Sequence, residues 1–327
     1  MDFLLHPETT GDKLLAMVAA ILLFVAVVAI ILFITNLPKR MPSWGVAIMF
    51  LAPAVLLMGF GLVYPAIVTI KDSFFGRTGS EPVGFANYVT IFSDPQFLRV
   101  LLNTVLWTVL VPVCATVIGM VYAVLVDRTR FEKFAKALVF LPMAISMVGA
   151  SIIWKFVYDQ RVGLLSALYE GVAKLFGQDV TAPQWLLNSP GNTFLLIFVM
   201  IWVQAGYCMT VLSAAIKAIP DDVIEAARID GVNARQMFFH VTIPMIRPTI
   251  VVVLTTVAMG GLKAFDIVRT MTAGNYNTSV IANEFYTQSF NNQNQGLGAA
   301  LAVLMFVIII PVIVFNIVQM RKSQDVR

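Results

Sequence analysis

Charge is scarce in this chain of 327 residues: Asp, Glu, Lys and Arg together make up 12% of it, where a soluble domain carries about 25%. Half the usual charge is missing, which excludes an ordinary water-soluble enzyme. Cysteine and histidine are rarer still, with two of each. Two cysteines build neither a disulfide framework nor a four-thiolate metal site, and Cys114 and Cys208 both lie in apolar runs, as small core residues do. The histidines, His6 and His240, fall near opposite ends of the apolar segments, and neither H-E-x-x-H nor G-x-S-x-G occurs, so metal or triad catalysis is not expected. No G-x-x-x-x-G-K-[ST] is present either, so the chain has no loop to cradle nucleotide phosphates. No metal and no cofactor is expected on this chain, and any energy from ATP would have to enter through a partner.

Apolar residues fill that gap. They amount to 59% of the chain, with a mean hydropathy of +0.86 and a net charge of only +4, which excludes disorder. A transmembrane helix needs about 20 mostly apolar residues. Seven stretches meet the rule, at 14–35, 45–70, 100–126, 137–158, 192–213, 248–265 and 297–319. The expected fold is an all-α integral membrane protein. Prolines 53, 65, 112, 142 and 311 fall inside these stretches and read as kinks, which a bilayer bundle tolerates.

Basic residues divide unevenly between the connecting segments: 13 lie in 36–44, 127–136, 214–247 and 320–327, against 7 in the alternate set. The more basic set faces the cytoplasm, which places the C-terminus inside and the acidic start, with Asp2, Glu8 and Asp12, outside. It also removes the nucleic-acid reading that a pI near 9.1 invites. The N-terminus is acidic and its apolar run is long, so it reads as a retained helix rather than a cleaved signal.

One inside segment carries more than charge. From Ala218 it reads AIPDDVIEAARIDGVNARQMFFHVTIPMIRP, ending at Pro248. Pro220 suits a first helical position, Asp221 and Asp222 complement the positive end of the helix dipole, and Gly231 suits the residue past the helix end. A helix over 220–230 spans roughly 16 Å, too short to cross a bilayer, and Glu225, Arg228 and Asp230 make it too polar to sit in lipid. Val223, Ala226, Ala227 and Asp230 share one side and leave room for another surface. The reading is a docking helix for a partner, or a surface helix that packs only on its own bundle. A second helical piece is expected over Ala234 to His240, ending ahead of Pro244.

Glu225-Ala226-Ala227, Asp230-Gly231, Phe238, Ile243-Pro244 and Pro248 resemble the EAA motif of permease subunits in binding-protein-dependent ABC importers. Val83-Gly84, Asn87-Tyr88, Asp94-Pro95, Phe97 and Asn103-Thr104, with Phe265-Asp266, Thr272 and Gly274, resemble the maltose-type sugar branch, and most of all its α-glucoside permeases. The resemblance spans roughly residues 45–320. It implies a type I importer core of six helices (45–320), preceded by an extra helix and linker (1–44) and followed by a short cytoplasmic tail (321–327). It implies a bacterial inner-membrane location and a coupling role for Glu225, Ala226, Ala227, Asp230, Gly231, Phe238 and Pro244. The implied partners are a second homologous permease, two ATPase subunits that hold ATP and Mg, and an extracytoplasmic sugar-binding protein.

A sugar site needs aromatic faces for the ring and amides or hydroxyls for its hydroxyl groups. Trp202, Gln204 and Tyr207 offer these in the fifth stretch, which supplies sugar contacts in the resembled family; the same side chains could instead face lipid or neighbouring helices. In the sixth, Gly260 and Gly261 open room beside Lys263, Ala264 and Phe265. Lys263 inside a span is a functional candidate, unless it snorkels outward or pairs with Asp266. The rival reading is an ATP-independent carrier or channel, for which a Lys263–Asp266 pair would be central.

Overall fold

The computed structural model describes residues 10–36, 42–127 and 130–324. The acidic start at 1–9, most of the linker at 37–41 and the last three residues of the tail lie outside that set. The chain divides into two compact units, Met1–Val68 and Thr69–Arg327.

The first unit holds α1 (Thr10–Asn36) and α2 (Ser43–Met58). A π turn over Gly59–Val63 leads into α3 (Tyr64–Asp72). No residue of the apolar helix Phe50–Asp72 is fully buried, and several are half-buried. Large apolar side chains such as Phe24, Leu56 and Phe60 are exposed, as befits helices whose solvent is lipid.

The second unit is built on three long helices, α5 (Pro95–Val126), α9 (Gly191–Lys217) and α12 (Ile243–Leu262). Pro95 starts α5 at a position that needs no donor, and the Asp94 carboxylate accepts from Gln96 N–H at 2.7 Å as its cap. Trp107, Leu196, Met209, Leu212, Val253 and Val257 are fully buried between these helices. Glycine lets the backbones close: a Cβ on Gly119 would stand 2.6 Å from Cys208 Cβ and from Met209 N, and one on Gly261 would stand 2.9 Å from the Trp107 carbonyl. Small residues at helix crossings are the usual basis of packing in membranes, where burial alone gives little drive. A second core, around Ile91, Phe97, Ile281, Leu297 and Leu301, joins α4 (Ala86–Ser93), α14 (Ile281–Tyr286) and α15 (Gln295–Gln324).

Among the described residues five helices are long and apolar enough to cross a membrane, and six if a bent pair counts as one crossing. The remaining apolar stretch lies on α1, at Leu14–Ile30. The bent pair corrects the expectation of one span over 137–158. The chain forms α6 (Glu132–Phe140), a 3-10 turn over Leu141–Ala144 and then α7 (Met147–Val157), with a 101° bend between the halves. Pro142 opens the 3-10 turn, and Ser146 Oγ accepts from Gly149 N–H at 3.0 Å to start a fresh helix.

The sixth stretch is corrected at both ends. Helix runs from α11 (Ala234–Gln236) through a π turn at Met237–Thr242 directly into α12, so the second piece does not end ahead of Pro244. Pro244 instead occupies the first turn of α12, after the widened turn. At the far end α12 stops at Leu262, and a short α13 follows over Asp266–Met271.

Candidate functional site

The segment around Glu225 forms α10, Asp221–Ile229. Pro220 is extended (φ −58°, ψ 137°) and caps the helix rather than starting it, so the expected 220–230 helix is shorter by one residue at each end. Gly231 adopts φ +78°, the left-handed conformation that glycine accepts without a Cβ penalty. It closes a Schellman turn: Gly231 N–H donates to the Arg228 carbonyl at 3.0 Å and Val232 N–H to the Ala227 carbonyl at 3.1 Å. Asn233 and Gln236 then form a capping box, with reciprocal bonds of 2.9 and 3.0 Å. The chain is therefore fixed on both sides of Gly231 by hydrogen bonds.

Ile224 packs on the main core, Ala227 is half-buried and Phe238 supports the helix from below. Val223, Glu225, Ala226 and Asp230 face outward. Ala227 thus leans toward the bundle rather than sharing the open side fully. The sequence reading passed over Ile229, which is 85% exposed; an apolar side chain left in the open at the end of a polar helix is the signal that could have found it. A cavity of about 400 Å³ lies beneath, lined by Val124, Asp127, Ile216, Arg228, Met237 and Phe238.

Four residues before α10, Lys217 closes a charge cluster. Its Nζ lies 2.5 Å from Glu132 and 3.2 Å from Asp127, and Lys136 reaches the same two carboxylates at 2.7 and 3.5 Å. Lys136 also donates to Ser213 Oγ at 2.5 Å. The cluster ties the end of α9, and with it the entry to α10, to α6. Only the Glu132–Lys136 pair, four apart on one helix, was legible as a pair.

The sugar-site candidates separate into three places. Trp202 meets Trp154 of α7 edge to face at 5.5 Å, beside Phe198 and Tyr158. Gln204 faces the other way: a Cβ on Gly260 would lie 3.8 Å from its Nε2 and 3.3 Å from Met200 Cε. Tyr207 is half-buried against the main core. Trp202 and Gln204, two residues apart, point about 200° apart around the helix and do not share a face. Gly261 is taken up by the close approach to Trp107. Lys263 is exposed in the break after α12 and forms no ion pair with Asp266, Ala264 is buried, and the Phe265 ring meets that of Tyr286 at 5.3 Å, tilted by 48°.

Residues 115–322 match the family described as the binding-protein-dependent transport system inner membrane component. The chain belongs to this family. It is 45% identical over 286 residues to the osmoprotective compounds uptake permease protein GgtC of Synechocystis sp., covering 85% of this chain and all of that one. It is 41% identical over 279 residues to the alpha-glucoside transport system permease protein AglF of Rhizobium meliloti, covering 82% and 80%. Its fold matches a crystallised bacterial ABC transporter involved in the import of the acidic polysaccharide alginate, with a TM-score of 0.72 at 23% identity over 85% of this chain and 96% of that one. The protein is thus a membrane component of a transport system, and its lack of an ATPase motif fits that role.

This transport component also carries a buried polar knot, of which the sequence showed only Asn103, Thr104, Thr272 and Gly274. Asn103 Nδ2 donates to the carbonyls of Asn277 and Ser279 at 2.7 and 3.0 Å, and Ile281 N–H donates to Thr104 Oγ1 at 3.0 Å. Asn192 Nδ2 donates to the Tyr276 carbonyl at 2.9 Å. Glu284, buried, accepts from Ser279 Oγ at 2.9 Å and from Gln288 Nε2 at 2.8 Å. These bonds hold a loop in which Ala273, Gly274, Tyr276 and Asn277 all have positive φ. The knot flanks a cavity of about 480 Å³ lined by Arg99, Asn103, Tyr276 and Glu284 among others. Asn103→Leu strips the buried Ser279 carbonyl and the partly buried Asn277 carbonyl of their donor and should destabilise the protein by about 1–3 kcal/mol, read as a lower midpoint in detergent thermal unfolding; an unchanged midpoint would show that the loop is held elsewhere.

Proposed function

We propose that the chain is the permease subunit of an ATP-driven sugar importer, translocating an oligosaccharide or α-glucoside by alternating access. It works with a second homologous permease, two ATPase subunits that bind ATP and Mg, and an extracytoplasmic sugar-binding protein. The N-terminus lies outside and the C-terminus in the cytoplasm, so that α10 faces the ATPase. The observation that carries this reading is α10 itself: a short polar helix, held rigidly by the Schellman turn and capping box, presenting Val223, Ala226 and Ile229 exposed among the described residues. The name of one relative, an alpha-glucoside transport system permease, supports a sugar as cargo, while that of the other says only osmoprotective compounds.

In the proposed cycle ATP closes the ATPase dimer, α10 carries that movement into α9 and α12, and the cavity opens outward to receive sugar. Hydrolysis returns it to the inward-facing state. Sugar passes the α9–α12 face, where Gln204 lies opposite Gly260 and its amide has no hydrogen-bond partner among the described residues. The aromatic group of Trp154, Trp202 and Tyr158 lines the approach.

The test is recovery of partners from native membranes with a tagged chain, followed by reconstitution. A Walker-A ATPase that comes along and drives glucoside uptake on addition of ATP and binding protein supports the proposal; uptake by the chain alone without ATP would overturn it. Gln204→Ala should raise the KM for uptake about tenfold, since one amide bond to a sugar hydroxyl is worth about 1.4 kcal/mol when its loss leaves a polar group unpaired, with ATPase assembly unchanged. Unaltered uptake kinetics would remove Gln204 from the path.

A further inference from the structure

The segment between α7 and α9 folds into a small module that no transport step above uses. Its centre is α8, Leu164–Leu175. The inner side of α8 is fastened by polar bonds: Ser166 Oγ donates to the Asp159 carbonyl at 2.8 Å, Trp185 Nε1 donates to Ser166 Oγ at 2.8 Å, and Ala182 N–H donates to the Glu170 carboxylate at 3.0 Å. Tyr169 packs edge to face on Trp185 at 5.6 Å. The turn before α8 is equally fixed, since the N–H groups of Val162 and Arg161 bind the Asp159 carboxylate and hold its carboxyl below the usual range. With its inner side tied down, α8 has one orientation.

The outer side is apolar. Leu164, Leu168, Val172 and Leu175 recur at spacings of four, four and three, which makes one stripe, and they are 63%, 57%, 52% and 85% exposed. Phe176, 80% exposed, continues it. Beside the stripe runs an apolar groove of about 430 Å³, lined by Leu168, Val172, Phe176, Val180 and Trp185 among others. Arg161 and Lys174 stand at the two ends of the helix.

Depth follows from α9. Its 27 residues extend about 40 Å against a hydrocarbon core of about 30 Å, so the fifth residue, Leu195, lies near the edge of that core. Tyr158 Oη donates to the Leu195 carbonyl at 3.1 Å, and Asp159, the next residue, anchors Ser166. The base of α8 is therefore level with the membrane boundary. The neighbouring helices α7 and α9 also expose large apolar side chains, among them Ile153, Phe156, Phe194 and Phe198.

We propose that α8 is an interfacial helix that lies in the leaflet on its own side of the membrane, with its leucine stripe among the acyl chains, a chain segment in the adjoining groove, and Arg161 and Lys174 at the phosphate level. A fixed polar side, an apolar stripe and flanking cations are what such helices require. The module becomes a float that sets the depth of α7 and of the first turn of α9.

The test places a photo-crosslinking amino acid singly at Leu168, Leu175 or the solvent-facing loop residue Glu81, in the full chain in its native membrane, and identifies adducts by mass spectrometry. Phospholipid adducts at Leu168 and Leu175, about tenfold above those at Glu81, are expected for a stripe buried in lipid. Adducts to a second permease or binding protein, or no adducts above the Glu81 level, would overturn the proposal. Leu175 ends the helix and is the most open of the four, so its replacement leaves the fold intact and the outcome interpretable.

Discussion

Gly231→Val should abolish ATP-driven uptake while the chain still folds and reaches the membrane. The position has φ +78°, yet a Cβ there would meet nothing within 4 Å. The penalty is therefore conformational and local: holding an L-residue left-handed costs roughly 1–2 kcal/mol, and more for a β-branched side chain. The relaxed turn loses its bonds to the Ala227 and Arg228 carbonyls, and α10 swings relative to the capping box at Asn233. Helix position, rather than helix existence, is what a coupling element transmits. The ATPase should no longer copurify, and the affinity of the binding protein for sugar should be unchanged. Gly231→Asn, which tolerates this backbone conformation, should keep most of the uptake. Ile229→Asp should also lose the ATPase, without any change in backbone. Full transport in Gly231→Val would remove the coupling role.

The spans and the α10 turn were legible because their physics is local. Long apolar runs report on the bilayer, and Gly231 nine residues after two aspartates reports on a helix end. What hydropathy does not encode is direction. Residues 137–158 are apolar enough for one crossing, yet Pro142 and the Ser146 cap turn the chain by 101°. Pro244 misled in the opposite sense, because a π turn ahead of it lets the helix continue where a regular α turn would clash.

The candidate sugar residues show a different limit. Trp202 and Gln204 are each within reach of Tyr207 by spacing, and helical arithmetic alone separates them from one another. Their actual neighbours, Trp154 on α7 and Gly260 on α12, come from other helices, and no local pattern announces them. Glycine was equally ambiguous in sequence: Gly260 leaves room beside Gln204, whereas Gly261, one residue on, is consumed by contact with Trp107. The polar knot around Glu284 joins residues up to 177 positions apart, as in the Thr104–Ile281 bond, so the sequence showed Asn103-Thr104 and Thr272 with Gly274 as separate fragments and not the bonds between them.

The largest loss of stability is expected from Gly119→Val. A Cβ there would lie 2.6 Å from Cys208 Cβ and 2.6 Å from the Met209 backbone nitrogen. Neither can move as the end of a flexible side chain would, so α5 and α9 must part. Overpacking of a tight core costs about 1–3 kcal/mol and occasionally more, and a backbone obstacle places this variant at or above the upper end. Cys208 and Met209 are pushed off α5, and little hydrophobic drive in lipid opposes the separation. The expected result is a sharp fall in the amount of folded chain recovered from membranes and a lower thermal midpoint. Gly171→Ala, on the open stripe of α8 where a Cβ meets nothing within 4 Å, should instead be neutral or raise stability by about 0.5–1 kcal/mol, because alanine restrains a helix better than glycine. If both variants behaved alike, the α5–α9 crossing would not be the tight contact described. The same crossing bears on function, because α9 runs from it without a break to Lys217 and the entry to α10. A wedge at Gly119 should therefore weaken ATPase association even in whatever fraction of the chain still folds.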